Sequence, residues 1–247
     1  MDAAWFDSLY GHYQAAIASG VFLRNLRKRR VVRVTLGNTS YIVKAYHLTW
    51  LHRLSGIRPH SLTGSRLLAR WTPPVLANVV RDGWQVTVYN DLNGPDLYEI
   101  PALLASGTDV TAAFAAAGRL LAEIHNNGCF HGDCKAPNFV VNRSLPELPP
   151  VAIIDCDHVK PYRHLPDARR SFNLAQFISC YTGYEKSPLP DWLKTALLSY
   201  RETAALDDAA WSICLKAASR TVEENRHIEN RVGVPFVKQL VSDLLRQ

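Results

Sequence analysis

The stretch 131-HGDCKAPNFVV-141 decides the fold, together with the string 151-VAIIDCD-157 that follows it. Each string contains a short apolar, β-branched run that is typical of a buried strand. Asp133 leaves a tight His-Gly corner, which would hold its carboxylate at the mouth of a cleft. Asn138 begins the first strand and Asp155 ends the second, so neighbouring strand ends would bring these two side chains together.

The side chains at these positions suit metal-assisted phosphoryl transfer. The amide oxygen of Asn138 and the carboxylate of Asp155 are hard ligands of the kind that Mg²⁺ takes from proteins, and the ion keeps its other positions for phosphate and water. Asp133 would orient an attacking hydroxyl and accept its proton. Lys135 would neutralise a phosphoryl oxygen while charge moves.

The first 90 residues carry the signals of a small sheet with one or two helices. Two basic, helix-like segments lie at about 47–56 and 61–71, and Pro73-Pro74 would end the second. Two pairs of β-branched and aromatic runs, each pair joined by a turn that contains glycine, predict two β-hairpins. The runs are 31-VVRVTL-36 with 40-SYIVKAY-46, and 75-VLANVV-80 with 84-WQVTVY-89.

After the polar, turn-rich stretch 90-NDLNGP-95 the pattern becomes helical. Residues 110–126 place apolar side chains on one face at helical spacing, with Thr108 or Asp109 as a cap at the start and Gly128 just past the end. Two short strands follow, and about 166–246 predict three or four amphipathic helices.

These patterns predict an α+β fold in two lobes. A small β-rich N-lobe would span residues 1–90 and a larger helical C-lobe would span 91–247, with a cleft between them. The aromatic residues Trp5, Phe6 and Tyr10 would cover the small lobe, and an amphipathic helix that touches a membrane is the alternative.

Charge is distributed unevenly along the chain. The net charge is +6, yet the segment from Ser8 to Arg81 contains no Asp or Glu and twelve Lys or Arg. Residues 82–247 hold 16 basic and 20 acidic side chains. The basic segment should project a positive field that favours anionic partners, with a solvated face that binds nothing as the alternative.

Cysteine usage and hydropathy exclude several classes of protein. The sequence contains no run of 18 apolar residues, so no transmembrane helix is expected. The start MDAAWFDSLYGHY lacks the basic region of a signal peptide. The five cysteines are odd in number and show no CxxC spacing, which favours free thiols in a reducing compartment.

The string 131-HGDCKAPN-138 resembles the H-R-D-x-K-x-x-N catalytic loop of eukaryotic-type kinases, with glycine in place of arginine. Asp155 stands where those enzymes have the Asp of their D-F-G motif, and Lys44 in 42-IVKAY-46 matches their strand lysine. The chain is more similar to the bacterial lipopolysaccharide core kinases. The motifs that carry this similarity are H-G-D-x-K-x-x-N-F-x-V and, after it, I-D-x-D. That family phosphorylates heptose or Kdo sugars of the inner core.

This resemblance implies a role for each candidate residue. Asp133 would be the catalytic base, and Lys135 would stabilise the transferring phosphoryl group. Lys44 would bind the phosphates of ATP. Asn138 and Asp155 would bind Mg²⁺ and, through the metal, the nucleotide.

Two further features take their interpretation from the same resemblance, and His131 is interpreted from what is usual for a histidine. Asp157 would assist the metal or the acceptor, although a surface position is as good an explanation. The segment 87-TVYNDL-92 would be the hinge that contacts adenine. His131 is interpreted as a packed, hydrogen-bonded residue.

Two departures from the kinase pattern raise questions about the site. The strand lysine of a kinase pairs with a helix Glu, but no acidic residue exists between Ser8 and Arg81, so Lys44 needs another anion such as Asp155 or the nucleotide. No G-x-G-x-x-G motif precedes the first hairpin. The basic stretch 20-GVFLRNLRKRR-30 would then cover the phosphates by charge.

The expected function is that of an ATP- and Mg²⁺-dependent kinase acting on a sugar hydroxyl of the lipopolysaccharide inner core. A protein kinase, a small-molecule kinase and a pseudokinase that only binds are the alternatives. The expected partners are ATP and a lipid-linked anionic core oligosaccharide, with peripheral contact to an acidic membrane and no nucleic acid. The expected location is the cytoplasm, at the inner face of the inner membrane.

Overall fold

The structure is a computed structural model that describes residues 2–55, 62–181, 190–224 and 234–245. The strands are β1 (Arg24–Leu26), β2 (Arg29–Leu36), β3 (Thr39–His47), β4 (Val75–Arg81), β5 (Trp84–Asn90), β6 (Cys129–Phe130), β7 (Phe139–Val141), β8 (Val151–Ile153) and β9 (Lys160–Pro161). The helices are α1 (Ala3–Ala18), α2 (Trp50–Ser55), α3 (Thr63–Leu67), α4 (Ile100–Ala105), α5 (Val110–Asn126), α6 (Asp167–Ser179), α7 (Asp191–Thr203), α8 (Asp208–Glu224) and α9 (Val234–Leu245). Mixed helix and sheet content of this kind is compatible with a kinase-like fold.

The first five strands form one antiparallel sheet with the order β1-β2-β3-β5-β4. Alternate residues of a strand point to opposite faces, so β2 and β3 present one polar and one apolar face. The polar face consists of residues paired across the two strands, which are Arg29 with Tyr46, Val31 with Lys44, and Arg33 with Ile42.

Helix α1 covers the apolar face of this sheet. The carboxylate of Asp2 caps the helix by accepting hydrogen bonds from the backbone of Ala4 and Trp5. Its buried residues pack against β2, β3 and β5; they are Leu9, Tyr10 and Tyr13, with Trp5 and Phe6 half-buried beside them. The expectation that these aromatic residues cover the sheet is confirmed.

Helix α8 packs against α6, and α9 packs against α8. Helix α5 is buried along most of its length. Its closest neighbour is α7, and the two backbones touch at Gly118, where a methyl group would overlap the carbonyl oxygen of Ala196. An aromatic cluster joins α5 to α6 and to β7, since Phe177 lies 6.2 Å from the Phe114 ring and 5.1 Å from the Phe139 ring. Among the helices in the described ranges, none is both long and apolar enough to span a bilayer.

Most predicted elements are confirmed, with differences at their ends. Both hairpins form, and the turn of the second contains Asp82 at φ 49° and Gly83 at φ 78°. Helix α3 ends at Leu67, before the predicted end at residue 71. The carbonyl of Trp71 accepts a hydrogen bond from Ile153 at 2.7 Å, which places Trp71 beside the end of β8. The predicted helical segment at 47–56 corresponds to α2 (Trp50–Ser55). Its last residue, 56, lies outside the described residues.

The strands β7 and β8 pair as predicted but are shorter than the apolar runs that predicted them. Asn138 lies in a 3₁₀ turn just before β7, so it does not begin the strand. Asp155 lies two residues beyond the end of β8 in a left-handed conformation with φ 61°. A strand could not continue through this conformation, and the carboxylate is turned out of the ladder as a result.

Candidate active site

The segment 131–138 follows β6 and forms a tight corner around Asp133. Gly132 has a φ of 80°, a left-handed conformation that favours glycine. Oδ1 of Asp133 lies 3.4 Å from Nζ of Lys135, and its Oδ2 accepts a hydrogen bond from Nδ2 of Asn138 at 3.3 Å. The side chains of Asp133 and Lys135 are 32% and 42% exposed, so both can meet a substrate from solvent.

Helix α6 holds this corner through two buried amide side chains. Oδ1 of Asn173 accepts a hydrogen bond from the backbone of His131 at 3.2 Å, and Oε1 of Gln176 accepts one from the backbone of Cys134 at 3.0 Å. The amide group of Gln176 also donates to the carbonyl of Gly132 at 3.3 Å. Neither residue was predicted from the sequence. The pattern that could have indicated them is an Asn and a Gln three positions apart on the apolar side of a helix.

His131 is fully buried, and it connects the corner to the segment that carries Asp155. Its Nε2 donates to the carbonyl oxygen of Ile154 at 3.2 Å. Burial lowers the pKa of His131, although the nearby Asp133 and Asp155 act in the opposite sense. The neutral, buried ring agrees with the structural interpretation of this residue.

Asp155 lies between two cations from the sheet. Nζ of Lys44 is 3.2 Å from its Oδ1, and Nη2 of Arg29 donates to both of its oxygens at 2.9 and 3.1 Å. Burial raises the pKa of Asp155, but Lys44 and Arg29 together outweigh this and hold the pKa well below its ordinary value. The carboxylate is therefore ionised throughout the physiological range.

The anion that Lys44 needs is Asp155. Lys44 is 7% exposed, lies on β3, and has its ammonium 5.5 Å from the centre of the Tyr89 ring. A buried ammonium without a counter-ion would be costly, so this contact replaces the helix Glu that the sequence lacks. The guanidinium of Arg29, which the sequence did not single out from its basic neighbours, completes the arrangement.

Asp157 is half-buried and accepts a hydrogen bond from the hydroxyl of Tyr46 at 2.8 Å. Burial is the main reason that the pKa of Tyr46 is raised, and the charge of Asp157 adds to it. Asp157 thus belongs to the same polar network below β3. Its role toward metal or acceptor stays a prediction.

A cavity of about 480 Å³ lies beside these residues. Its lining comes from the sheet, from the segment after β5, from Asn138 at the end of the corner and from Asp155, whereas Asp133 and Lys135 are not part of it; the lining from the sheet and the segment after β5 includes Lys44, Arg29, Tyr89 and Asp91. Asp91 in the predicted hinge is 5% exposed and forms an ion pair with Arg33. The carbonyl oxygens of Asp91 and Leu92 accept hydrogen bonds from Ser144 and Arg143, which fasten the hinge to the segment after β7.

Asn138 and Asp155 have the chemistry of a magnesium site. Nδ2 of Asn138 donates to the carbonyl of Asp133 at 2.7 Å, and no described residue donates to its Oδ1, so this oxygen is available to a metal ion. Within the described ranges, no group of three or more His, Cys, Asp or Glu side chains could hold a metal ion. Two protein oxygens, completed by phosphate and water, are the set that suits Mg²⁺ bound with a nucleotide.

Comparison with known proteins gives a likeness of structure. No protein-family model matches the chain, and no curated protein matches it by sequence. A solved structure of WaaP in complex with acyl carrier protein superposes with a TM-score of 0.53 at 15% identity, covering 99% of this chain and 98% of that chain. At this identity the likeness shows the fold alone, and the mixed sheet and helix content is compatible with a kinase-like fold. Because 1397 chains of solved structures match, the likeness does not select a substrate.

Proposed function

We propose that the chain is an ATP- and Mg²⁺-dependent kinase that phosphorylates a sugar hydroxyl of the lipopolysaccharide inner core, either heptose or Kdo. The observation that carries the proposal is the contact of 3.2 Å between Nζ of Lys44 and Oδ1 of Asp155, beside a cavity that Asn138 also lines. Phosphoryl transfer from ATP uses a phosphate-binding lysine opposite a metal-binding carboxylate. The fold shared with WaaP, a lipopolysaccharide core heptose kinase, supports the kinase activity, and the acceptor class rests on the strings 131-HGDCKAPNFVV-141 and 154-IDCD-157.

In this proposal the chain is divided into two lobes, an N-lobe of residues 1–90 and a C-lobe of residues 91–247. The five-stranded sheet and α1 fall in the first range, and the helices from α4 onward fall in the second. ATP would occupy the cavity, with its adenine toward 87–92 and its phosphates toward Lys44. This orientation is supported by the lining of the cavity, which includes Asp91 and Leu92 of the predicted hinge as well as Lys44 and Asp155.

Each side chain has a task in the proposed reaction. Asp133 accepts the proton of the sugar hydroxyl, and its hydrogen bond from Asn138 keeps the carboxylate oriented for this step. Lys135, whose Nζ lies 3.4 Å from Asp133, balances charge on the transferring group. When bound by Asn138 and Asp155, Mg²⁺ would neutralise the charge of the phosphates.

The acceptor proposed here is anionic and lipid-linked, which agrees with the charge of residues 8–81. That segment has no acidic side chain, and its exposed cations include Arg24, Arg27 and Lys28. A protein of this kind would work in the cytoplasm, in peripheral contact with the acidic inner face of the inner membrane.

Phosphate transfer from labelled ATP to purified core oligosaccharides tests the proposal. Wild-type protein should label a core that contains heptose or Kdo and should need Mg²⁺. Asp133→Ala should retain ATP affinity but lose turnover by about 100-fold or more, because the base is removed. Asp191→Ala, at a carboxylate 94% exposed on α7, is the matched control and should retain full turnover. Undiminished turnover in Asp133→Ala would exclude this residue as the base.

A pseudokinase is the second candidate, because Asp155 already has both of its oxygens bonded to Arg29. Thermal unfolding with ATP, with and without Mg²⁺, separates the two functions, since a ligand of the folded state raises its stability. An enzyme should gain extra stability from the metal in the presence of ATP. A pseudokinase should respond to ATP equally with and without metal and should label no acceptor, whether sugar, protein or small molecule.

A further inference from the structure

Arg29 occupies an unusual position in the cleft. It is the first residue of β2, directly after the two-residue turn formed by Arg27 and Lys28. Its side chain is 21% exposed and lies on the same face of the sheet as Lys44, with its guanidinium 5.3 Å from the centre of the Tyr46 ring. The β1–β2 turn is where a kinase carries its glycine-rich loop over the phosphates.

The hydrogen-bond partners of Arg29 leave part of its donor capacity unused. One terminal nitrogen, Nη2, donates to both oxygens of Asp155. Its Nε is buried, and within the described ranges it has no hydrogen-bond partner. A guanidinium presents five donors in a planar fork that matches a phosphate group.

The charges around Asp155 favour a further anion. One carboxylate is shared by two cations, Lys44 and Arg29, within 3.2 Å. Arg24 and Arg33 line the same cavity, and Arg33 is neutralised by Asp91. Asp157 adds a second negative charge near Arg29, and a phosphate chain entering the cavity would meet Arg24 as a further cation.

We propose that Arg29 is a phosphate-binding residue of the nucleotide site and does the work of the absent glycine-rich loop. This inference rests on the proposed function. Before the nucleotide binds, Arg29 bonds to Asp155 and thereby competes with any metal for that carboxylate. When the nucleotide binds, the guanidinium exchanges Asp155 for phosphate oxygens, and Asp155 becomes free to ligate Mg²⁺.

The neighbouring cations do not share this geometry. Arg27 and Lys28 lie at the turn with exposed side chains. Arg30 lies on the opposite face of β2, with its guanidinium 4.5 Å from the centre of the Trp84 ring. Of the cations in the stretch 20–30, Arg24 and Arg29 line the cavity, and Arg29 is the one that bonds to Asp155, so we assign the contact with the phosphates to Arg29. Arg30 is adjacent in sequence and of the same type, so it provides a matched control.

Calorimetric titration with metal-free ATP and with adenosine tests the phosphate contact. Arg29→Gln should weaken ATP binding by roughly 10-fold to 100-fold, the effect of losing hydrogen bonds between charged groups, and should leave adenosine binding unchanged. Arg29→Lys should give an intermediate loss because it keeps the charge but not the fork. Arg30→Gln should bind both ligands as the wild type does.

Titration with Mn²⁺ alone, followed by electron paramagnetic resonance, tests the competition for Asp155. Arg29→Gln should bind Mn²⁺ several-fold more tightly than the wild type, while its ATP affinity falls. A variant that is merely misfolded would lose both ligands, so the opposite signs identify the proposed exchange.

The outcomes distinguish this inference from the function on which it rests. Unchanged ATP affinity in Arg29→Gln, beside a wild type that binds ATP, overturns the role of Arg29 alone. Equal loss of ATP and adenosine, or a loss of Mn²⁺ affinity, also overturns it, because the residue would then only support the pocket. A wild type that binds neither ATP nor adenosine overturns the nucleotide site itself.

Discussion

At the scale of single residues, the carboxylate of Asp155 governs the electrostatics of the cleft. It joins the sheet to the segment after β8 by direct contact with Lys44 and Arg29, at 3.2 and 2.9 Å. All three side chains are largely shielded from solvent, and at such positions the loss of one partner leaves the others uncompensated. The carboxylate that would bind the metal ion therefore also stabilises the folded state.

The pH dependence of stability should reveal this carboxylate. Because the pKa of Asp155 is depressed in the folded state, its stabilisation is complete above the ordinary aspartate value of 3.8 and is lost as the pH falls further. Asp155→Asn should lower the free energy of unfolding by about 3 kcal/mol at pH 7. In urea unfolding followed from pH 7 to pH 3, the difference between variant and wild type should shrink below about pH 4.

Glu224→Gln is the control for this measurement. Its carboxylate on α8 is 72% exposed and lies 4.0 Å from Arg220, so its removal should change stability little at any pH. A constant difference between Asp155→Asn and wild type down to pH 3 would contradict the assignment of the depressed pKa to this ion pair.

At the scale of elements, the short helix α3 supports the segment that carries Asp155. Gly64 on α3 lies so close to the backbone of Cys156 that an added Cβ would overlap its carbonyl oxygen. Both residues are buried, and Val159 packs on the same side. The helix therefore contributes to the site through backbone contact, without an acidic side chain of its own.

Gly64→Ala should disturb this contact and lower stability by about 2 kcal/mol, because the backbone of Cys156 cannot yield as a flexible side chain would. ATP affinity should fall as well, since Asp155 would move with its neighbour. Urea unfolding and nucleotide titration measure the two effects. Gly11→Ala on α1 is the matched control: nothing lies within 4 Å of the position, and alanine there should raise stability by up to about 1 kcal/mol. Equal behaviour of the two variants would contradict the support that α3 is said to give.

The elements that the sequence predicted are those with strong local signals. The two hairpins have β-branched runs around glycine turns, and α5 has a cap at Asp109, whose carboxylate accepts a hydrogen bond from Ala112 at 3.0 Å. Strand β1 was missed because all three of its residues are exposed and show no alternation. The two-residue strands β6 and β9 are too short to leave any pattern.

The same distinction holds for the candidate site. Lys44, Asp133 and Asp155 were predicted as site residues because each belongs to a string with a recognisable spacing. Arg29 was not separated from its basic neighbours, since its partner lies 126 positions further along the chain. Asn173 escaped notice for the same reason, because the backbone that it holds lies 42 positions earlier. Contacts of this range depend on the tertiary fold, which local sequence patterns do not report.

At the scale of the whole molecule, basic and apolar side chains share an exposed surface beside the cleft. The carbonyl of Lys28 accepts a hydrogen bond from His47 at 3.0 Å, which places the β1–β2 turn next to the end of β3, shortly before α2 begins. Leu26 in β1 is 50% exposed and Trp50 at the start of α2 is 68% exposed. Cations around exposed apolar residues are typical of a surface that meets an acidic membrane.

The double variant Arg27→Gln/Lys28→Gln tests whether this surface meets lipid. Wild-type protein should bind vesicles that contain phosphatidylserine at about 0.1 M salt and should dissociate as the salt concentration rises, since screening weakens the attraction. The double variant should bind about 10-fold to 30-fold more weakly, because each basic residue near the surface contributes about 1 kcal/mol. Co-sedimentation with vesicles gives these affinities. Arg220→Gln on α8, 77% exposed, should bind as the wild type does. Equal binding of the wild type to neutral and acidic vesicles would contradict an electrostatic contact and would leave the basic segment to serve the anionic ligands of the cleft.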